Sequence, residues 1–199
     1  MSRILAWLAE RPVEAVLLGA LAALIGAMAG GLALIGLGAV DVAASSPHTT
    51  PVYWATKIAM MQSVRRQAVS ISAPARFTEA DVAQGFRLYE THCVACHGAP
   101  GVGPAAQAAG LMPPPPYLLE APRDWTPAEL YWIVRNGVKM TGMPAWDRTL
   151  SEADSWRLVA FLERLPGLDT RAYCRLRLSQ PACSGRPSAP LADAACACP

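Results

Sequence analysis

The sequence predicts an all-α fold with one N-terminal transmembrane helix, and three observations carry that prediction. No charged residue occurs from Ala15 to Val40. Three helix starts of one kind recur downstream, each a Thr or Ser with acidic residues in the turn that follows, at Thr78, Thr126 and Ser151. No segment alternates apolar and polar residues as a half-buried strand does.

The uncharged run is 26 residues long. As a helix it measures about 39 Å, against about 30 Å for the hydrocarbon core of a bilayer. Residues 1–12 then read as a short cytoplasmic tail and 13–40 as an anchor in the lipid bilayer. A cleavable signal peptide is the alternative, and Val42-Ala43-Ala44 resembles a weak cleavage site. Signal peptides carry apolar stretches of only about 7–15 residues, so the length favours a retained anchor. Arg3 and Arg11 before the span place the amino terminus inside, although Lys57, Arg65 and Arg66 after it weaken that argument. Gly26 and Gly30, extended backwards by Ala22, have the spacing that admits a close helix partner, or the chance spacing of an Ala/Gly-rich helix. With 199 residues the chain holds one ordinary domain plus attachments, and a net charge of +2 is too small to suggest a nucleic-acid partner.

Residues 41–73 read as a juxtamembrane segment. Asp41 to Pro51 is a turn, and Tyr53 to Ser70 is a helix or linker whose Tyr53 and Trp54 suit an aromatic belt. Trp54, Ile58 and Met61 share a helical face, flanked by Lys57 and Arg65. That face suits a lipid surface or a partner, or else the segment is a solvated linker.

Residues 74–166 form the principal domain. Its first helix follows Thr78 and turns Val82, Gly85, Phe86 and Tyr89 to one side. The second starts at Thr126-Pro127, carries Leu130, Ile133 and Val134, and closes at Gly137. The third starts at Ser151, carries Trp156, Val159, Ala160, Phe161 and Leu162, and ends at Pro166-Gly167. Gly85 and Tyr89, with Ala160, are placed for a close crossing of the first and last helices. Three helices and long loops make a core that is small for about 90 residues.

Residues 167–199 read as a separate tail with Cys174, Cys183, Cys196 and Cys198. In an oxidising compartment these make two disulfides, so the tail is expected to be disulfide-rich. Cys196 and Cys198 are too close for a relaxed bridge to each other, and each pairs outward to Cys174 or Cys183. A soft-metal site of several thiolates is the rival.

The chemistry centres on Cys93-Val94-Ala95-Cys96-His97. C-x-x-C-H is the attachment signature of c-type haem: two thiols meet the porphyrin vinyl groups and the histidine meets the iron. A thioredoxin-like pair would follow a strand, and a zinc site would want a second matched pair nearby. Neither surrounds this motif. A buried porphyrin would supply the missing apolar centre, so the apo chain is expected to fold poorly. The cofactor expected is one covalently bound haem c, with its iron.

Together with Gly103-Pro104 and Thr141-Gly142-Met143-Pro144-Ala145-Trp146, the motif resembles the class I, single-haem c-type cytochromes, here in a membrane-anchored bacterial form. The resemblance covers about residues 76–166. It implies a cytochrome c domain wrapped around the haem, with His97 and Met143 as the two iron ligands. It also implies that a proline carbonyl in the following loop accepts from the other nitrogen of His97, for which Pro104 is the candidate. Met140 is the alternative sixth ligand, and Met112 fills core. His92 and His48 are ordinary polar residues. Trp146 is placed to pack on the porphyrin, and the stiff run Pro113 to Pro116 to wrap its edge or to serve as a rigid connector.

His/Met ligation fills both axial positions and raises the potential relative to bis-histidine. The resemblance therefore implies a membrane-anchored electron carrier, not an enzyme, at the periplasmic face of a bacterial inner membrane, in a respiratory or related chain. The alternatives are a cytochrome subunit held permanently in a larger membrane dehydrogenase or oxidase, and a haem peroxidase. The partners expected are redox proteins, a membrane oxidoreductase complex being one candidate.

Overall fold

The computed structural model describes residues 11–180. The readings placed on Arg3, Cys183, Cys196 and Cys198 lie outside the described residues. The chain divides into two compact units, with the boundary between Ser46 and Pro47.

The described residues of the first unit hold one helix, α1 (Pro12–Gly36), which starts with a proline in its first turn and an Arg11–Glu14 ion pair at 3.0 Å. Its 25 residues, with a mean hydropathy of 2.2 over the most apolar window, are long and apolar enough to cross a membrane. The helix stops at Gly36, short of the expected Val40. Gly38 takes φ +68°, and the N–H groups of Ala39 and Gly38 return to the carbonyls of Leu34 and Ile35 at 2.9 and 3.0 Å. This is a Schellman ending, which glycine permits and which the apolar character of Leu37 to Val40 does not reveal.

The second unit is helical, and its described residues contain no strand. It comprises α2 (Thr50–Ala68), α3 (Glu79–His92), α4 (Val94–His97), α5 (Ala121–Asp124), α6 (Pro127–Asn136), α7 (Glu152–Arg164) and α8 (Thr170–Leu178), with 3-10 turns at Ala106–Gly110, Leu118–Glu120 and Leu165–Gly167. The three predicted starts are capped as the sequence indicates. Thr78 and Asp81 form a reciprocal capping box, Thr126 and Glu129 form a second with Pro127 behind the cap, and the Ser151 hydroxyl accepts from the Asp154 N–H. Gly137 ends α6 at φ +63°.

α3 crosses α7 at Gly85. A Cβ on Gly85 would lie 1.9 Å from the Arg157 carbonyl oxygen and 2.9 Å from Phe161 Cβ. The expected crossing forms, but its partner is the Arg157 backbone with Phe161, while Ala160 is buried one step away. Around this contact Phe86, Tyr89, Phe161 and Tyr173 make an aromatic cluster with ring centroids 5.2–6.4 Å apart. Arg157 also bridges the starts of both helices, reaching Asp81 at 3.6 Å and Asp154 at 2.8 Å.

The packed core reaches beyond 74–166 on both sides. Val64 and Ala68 of α2 are buried, and α2 lies against α6. Tyr173 of α8 is fully buried in the aromatic cluster, and its hydroxyl donates to the Glu90 carboxylate, which Arg177 also meets at 2.9 Å. Position 167 is therefore not the start of a separate tail. Residues 181–199 contain four prolines and three cysteines, but Thr170 to Leu178 contains no proline or glycine, and Asp169 caps it through the Ala172 N–H at 2.7 Å. Cys174 is disulfide-bonded.

Replacing Gly85 by Ala should destabilise the domain by about 1–3 kcal/mol, because the added methyl meets backbone that has to move. The gain in helix propensity, about 1 kcal/mol, is smaller than that strain. Denaturant unfolding of the haem-loaded protein checks the sign, and an unchanged midpoint would refute the close crossing.

Candidate haem site

α3 runs directly into the attachment turn. Cys93 closes α3 and opens α4, accepting from the N–H groups of Cys96 and His97 at 3.0 and 2.9 Å. One tight turn thus sets the two thiols and the imidazole at the end of a helix whose other end is fixed by the crossing. Val94 is buried as the anchor of that turn, and Cys93, Cys96 and His97 are half-buried.

The chain after His97 is folded back on itself. Gly98 takes φ +64°, and a Cβ there would lie 2.9 Å from the Val102 carbonyl oxygen and 3.3 Å from Pro104 Cδ. The Tyr89 hydroxyl, buried on α3, donates to the Gly98 carbonyl at 2.6 Å. Ala99 and Val102 exchange two backbone hydrogen bonds of 2.8 Å, and the Ala105 N–H returns to Ala95 at 2.8 Å. α8 presses on this knot from outside: a Cβ on Gly101 would lie 2.4 Å from Thr170 Cγ2.

His97 Nδ1 donates to the carbonyl of Pro116 at 2.8 Å. This corrects the expectation placed on Pro104. Pro104 packs beside Gly98 in the turn that follows the motif, and its position there is set by that reversal. The ring is met later, where the run Pro113 to Pro116 returns past it; within that run the Met112–Pro113 bond is cis. A carbonyl carries no hydrogen, so the contact puts the proton on Nδ1 and leaves the Nε2 lone pair free. Burial lowers the His97 pKa, partly offset by the Pro116 bond, so the ring is neutral near pH 7. Burial, with the neighbouring Cys96, pushes the Cys93 thiol up to about 12. A disulfide-exchange cysteine has the opposite shift, toward the thiolate.

The second loop lies between α6 and α7. Gly137 packs against the Pro144 backbone, where a Cβ would come within 2.6 Å. The Met143 N–H donates to the Thr141 hydroxyl at 3.1 Å, that hydroxyl donates to the Val138 carbonyl at 2.7 Å, and the Val138 N–H returns to the Met143 carbonyl at 3.3 Å. Downstream, Trp146 and Asp147 donate to the carbonyls of Val134 and Arg135 at 3.4 and 3.1 Å. Met143 is therefore half-buried in a loop pinned to the end of α6. Met140, the alternative, is 89% exposed at φ +60°, and Met112 is half-buried.

The two halves of the site meet through the loop of residues 98–120. Its Pro116 holds His97, and its Leu111 packs on Gly142, where a Cβ would lie 2.7 Å from Leu111 Cδ2. The Trp146 ring lies against His92, the residue before Cys93, with centroids 4.8 Å apart and the planes tilted by 55°. His92 thus has a packing role beyond that of a polar surface residue. His48 stays exposed.

Sequence reasoning missed three contributors. Pro116 stands at the end of a proline run whose stiffness was visible but whose carbonyl direction was not. The Tyr89 hydroxyl gave no signal beyond an apolar helical face. Thr141 begins the Thr-Gly-Met-Pro motif, and a hydroxyl two residues before a constrained methionine is a usable sign of a loop brace.

These residues fit a covalently held haem. Cys93 and Cys96 are free thiols, and His97 offers one neutral nitrogen. From Thr91 to Leu119 the chain carries no Asp, Glu, Lys or Arg that would face a porphyrin. Among the described residues no group of three or more His, Cys, Asp or Glu is arranged to hold a bare metal ion.

Residues 80–162, from α3 through most of α7, match the family model described as cytochrome c oxidase, cbb3-type, subunit III. α1, α2 and α8 lie outside that match. No curated protein matches the chain.

Tyr89→Phe keeps the ring in its cluster and removes the bond to Gly98. It should cost about 1–3 kcal/mol, because a buried carbonyl is left unsatisfied, without releasing the covalent haem. Denaturant unfolding followed at the haem absorption checks this; an unchanged stability would mean that Gly98 does not depend on Tyr89.

Proposed function

We propose, from the premise that residues 80–162 are a c-type cytochrome domain with covalently bound haem c, that this electron-transfer protein is a membrane-anchored carrier of single electrons between redox partners outside the cytoplasm. The observation that carries the reading is the His97–Pro116 hydrogen bond, which fixes the imidazole with its Nε2 available to iron. When bound, the haem supplies a one-electron couple at its iron.

The chain's own residues do the rest. Cys93 and Cys96 would hold the porphyrin through sulfur, and the His97 nitrogen and the Met143 sulfur would hold its iron. Thr141 and Gly137 hold the loop that presents the Met143 sulfur. An iron held by both His97 and Met143 would keep no site open for dioxygen or peroxide, which favours electron transfer over a peroxidase. α1 tethers the domain to an inner bacterial membrane, with the domain on the periplasmic side, and so raises its effective concentration near membrane partners.

A second reading is a cytochrome subunit held permanently in a membrane oxidase complex. The description of the matching family favours it. Purification from the native membrane in mild detergent, followed by native mass measurement, separates the two: a lone chain supports the carrier, and a stable assembly supports the subunit.

Replacing both Cys93 and Cys96 by Ala should abolish haem staining on a denaturing gel, and staining that persisted would refute the attachment site. Met143→Ala should remove the sulfur–iron charge-transfer band and lower the potential, since thioether ligation raises it. An unchanged band would move the ligand elsewhere.

A further inference from the structure

α2 is one helix in two differently treated halves. Val64 and Ala68 in its second half are buried against the domain. Its first two turns are uncovered, with Tyr53, Trp54 and Ile58 45%, 52% and 53% exposed. Tyr53 and Lys57 recur at helical spacing with Val64 and Ala68, and Trp54 and Ile58 stand on the flank of that line. Within the uncovered part the Lys57 ammonium sits 5.7 Å from the Tyr53 ring centre and 5.6 Å from that of Trp54, and the two rings meet edge to face at 5.8 Å.

We infer that the first two turns of α2 lie in the headgroup region of the bilayer that α1 crosses, with Tyr53 and Trp54 at the apolar boundary and Lys57 against lipid phosphate. The inference rests on the anchor reading above. Chain continuity supports it. Thirteen residues, 37–49, separate α1 from α2, and fully extended they span at most about 47 Å, a tether that leaves the membrane surface within reach of the start of α2. The chemistry selects lipid over solvent and over protein. Tyr and Trp have an apolar body with a polar edge, and a lysine stem keeps its ammonium at the phosphate level. Lys57 stands in the middle of the patch, and the cores of protein interfaces are depleted of lysine. Arg65 and Arg66 at the far end of the helix add positive charge of the sign that anionic lipid attracts.

The test uses the full haem-loaded chain reconstituted into vesicles of phosphatidylcholine and phosphatidylglycerol, with or without bromine on the lipid chains near the headgroup. The contribution of Trp54 to the emission is the difference between the parent chain and Trp54→Phe. The expected result is loss of that contribution in brominated vesicles and no loss on adding aqueous iodide. Lys57→Glu should restore iodide quenching by repelling the phosphate layer. Quenching of the parent by iodide alone would overturn the inference, and so would shielding from both quenchers, which would mean that protein covers the face. A chain that failed to float with vesicles would overturn the anchor reading, whereas flotation with an iodide-quenched Trp54 would overturn this inference alone.

Discussion

An imidazole that is to bind a metal through one nitrogen must have the other nitrogen committed, or the ring turns and its proton moves. In this chain Nδ1 of His97 is committed to the Pro116 carbonyl at 2.8 Å, and a carbonyl allows only one arrangement of that proton. Nearly every other feature of the site serves this bond. The reversal at Gly98, the paired bonds of Ala99 and Val102, and the proline run bring residue 116 back beside residue 97.

The bond needs a fixed base, and the crossing of α3 with α7 supplies it. Gly85 lets the backbones touch, Phe86 and Tyr89 fill the space below, and α3 then delivers Cys93 at its end. Tyr89 joins the two levels, with its ring in the core and its hydroxyl on Gly98. α8, outside the family match, adds a clamp. Tyr173 completes the aromatic cluster, its hydroxyl and Arg177 both meet Glu90 one turn before Cys93, and Thr170 rests on Gly101. Packing of this kind resists rearrangement. That suits a centre whose electron transfer is fastest when little moves between its two oxidation states.

The chemistry of the cysteines separates the competing uses of a C-x-x-C pair. A redox dithiol needs a stabilised thiolate and a zinc site needs further ligands. Here burial drives Cys93 toward the thiol; His92 is packed on Trp146, and no group of three or more His, Cys, Asp or Glu gathers to hold a bare ion among the described residues. The pair belongs to a site made for an apolar macrocycle.

Much of this was written in the order of residues. The capping residues Thr78, Thr126 and Ser151 act over three residues, so the chain alone determined where α3, α6 and α7 begin. The C-x-x-C-H motif and the Gly-Met-Pro motif are equally local, and so is the length of the apolar run before them. The ending of α1 at Gly36 depended on one glycine's φ, and apolar character is blind to that. The core beyond 74–166 depended on contacts between residues far apart in sequence, such as Tyr173 with Phe86 and α2 with α6. The same is true of the acceptor for His97. Both Pro104 and Pro116 are prolines in the following loop, and their carbonyls are chemically alike. Only the path of the folded loop decides which of them reaches the ring, because a hydrogen bond depends on direction and distance in space and not on separation along the chain.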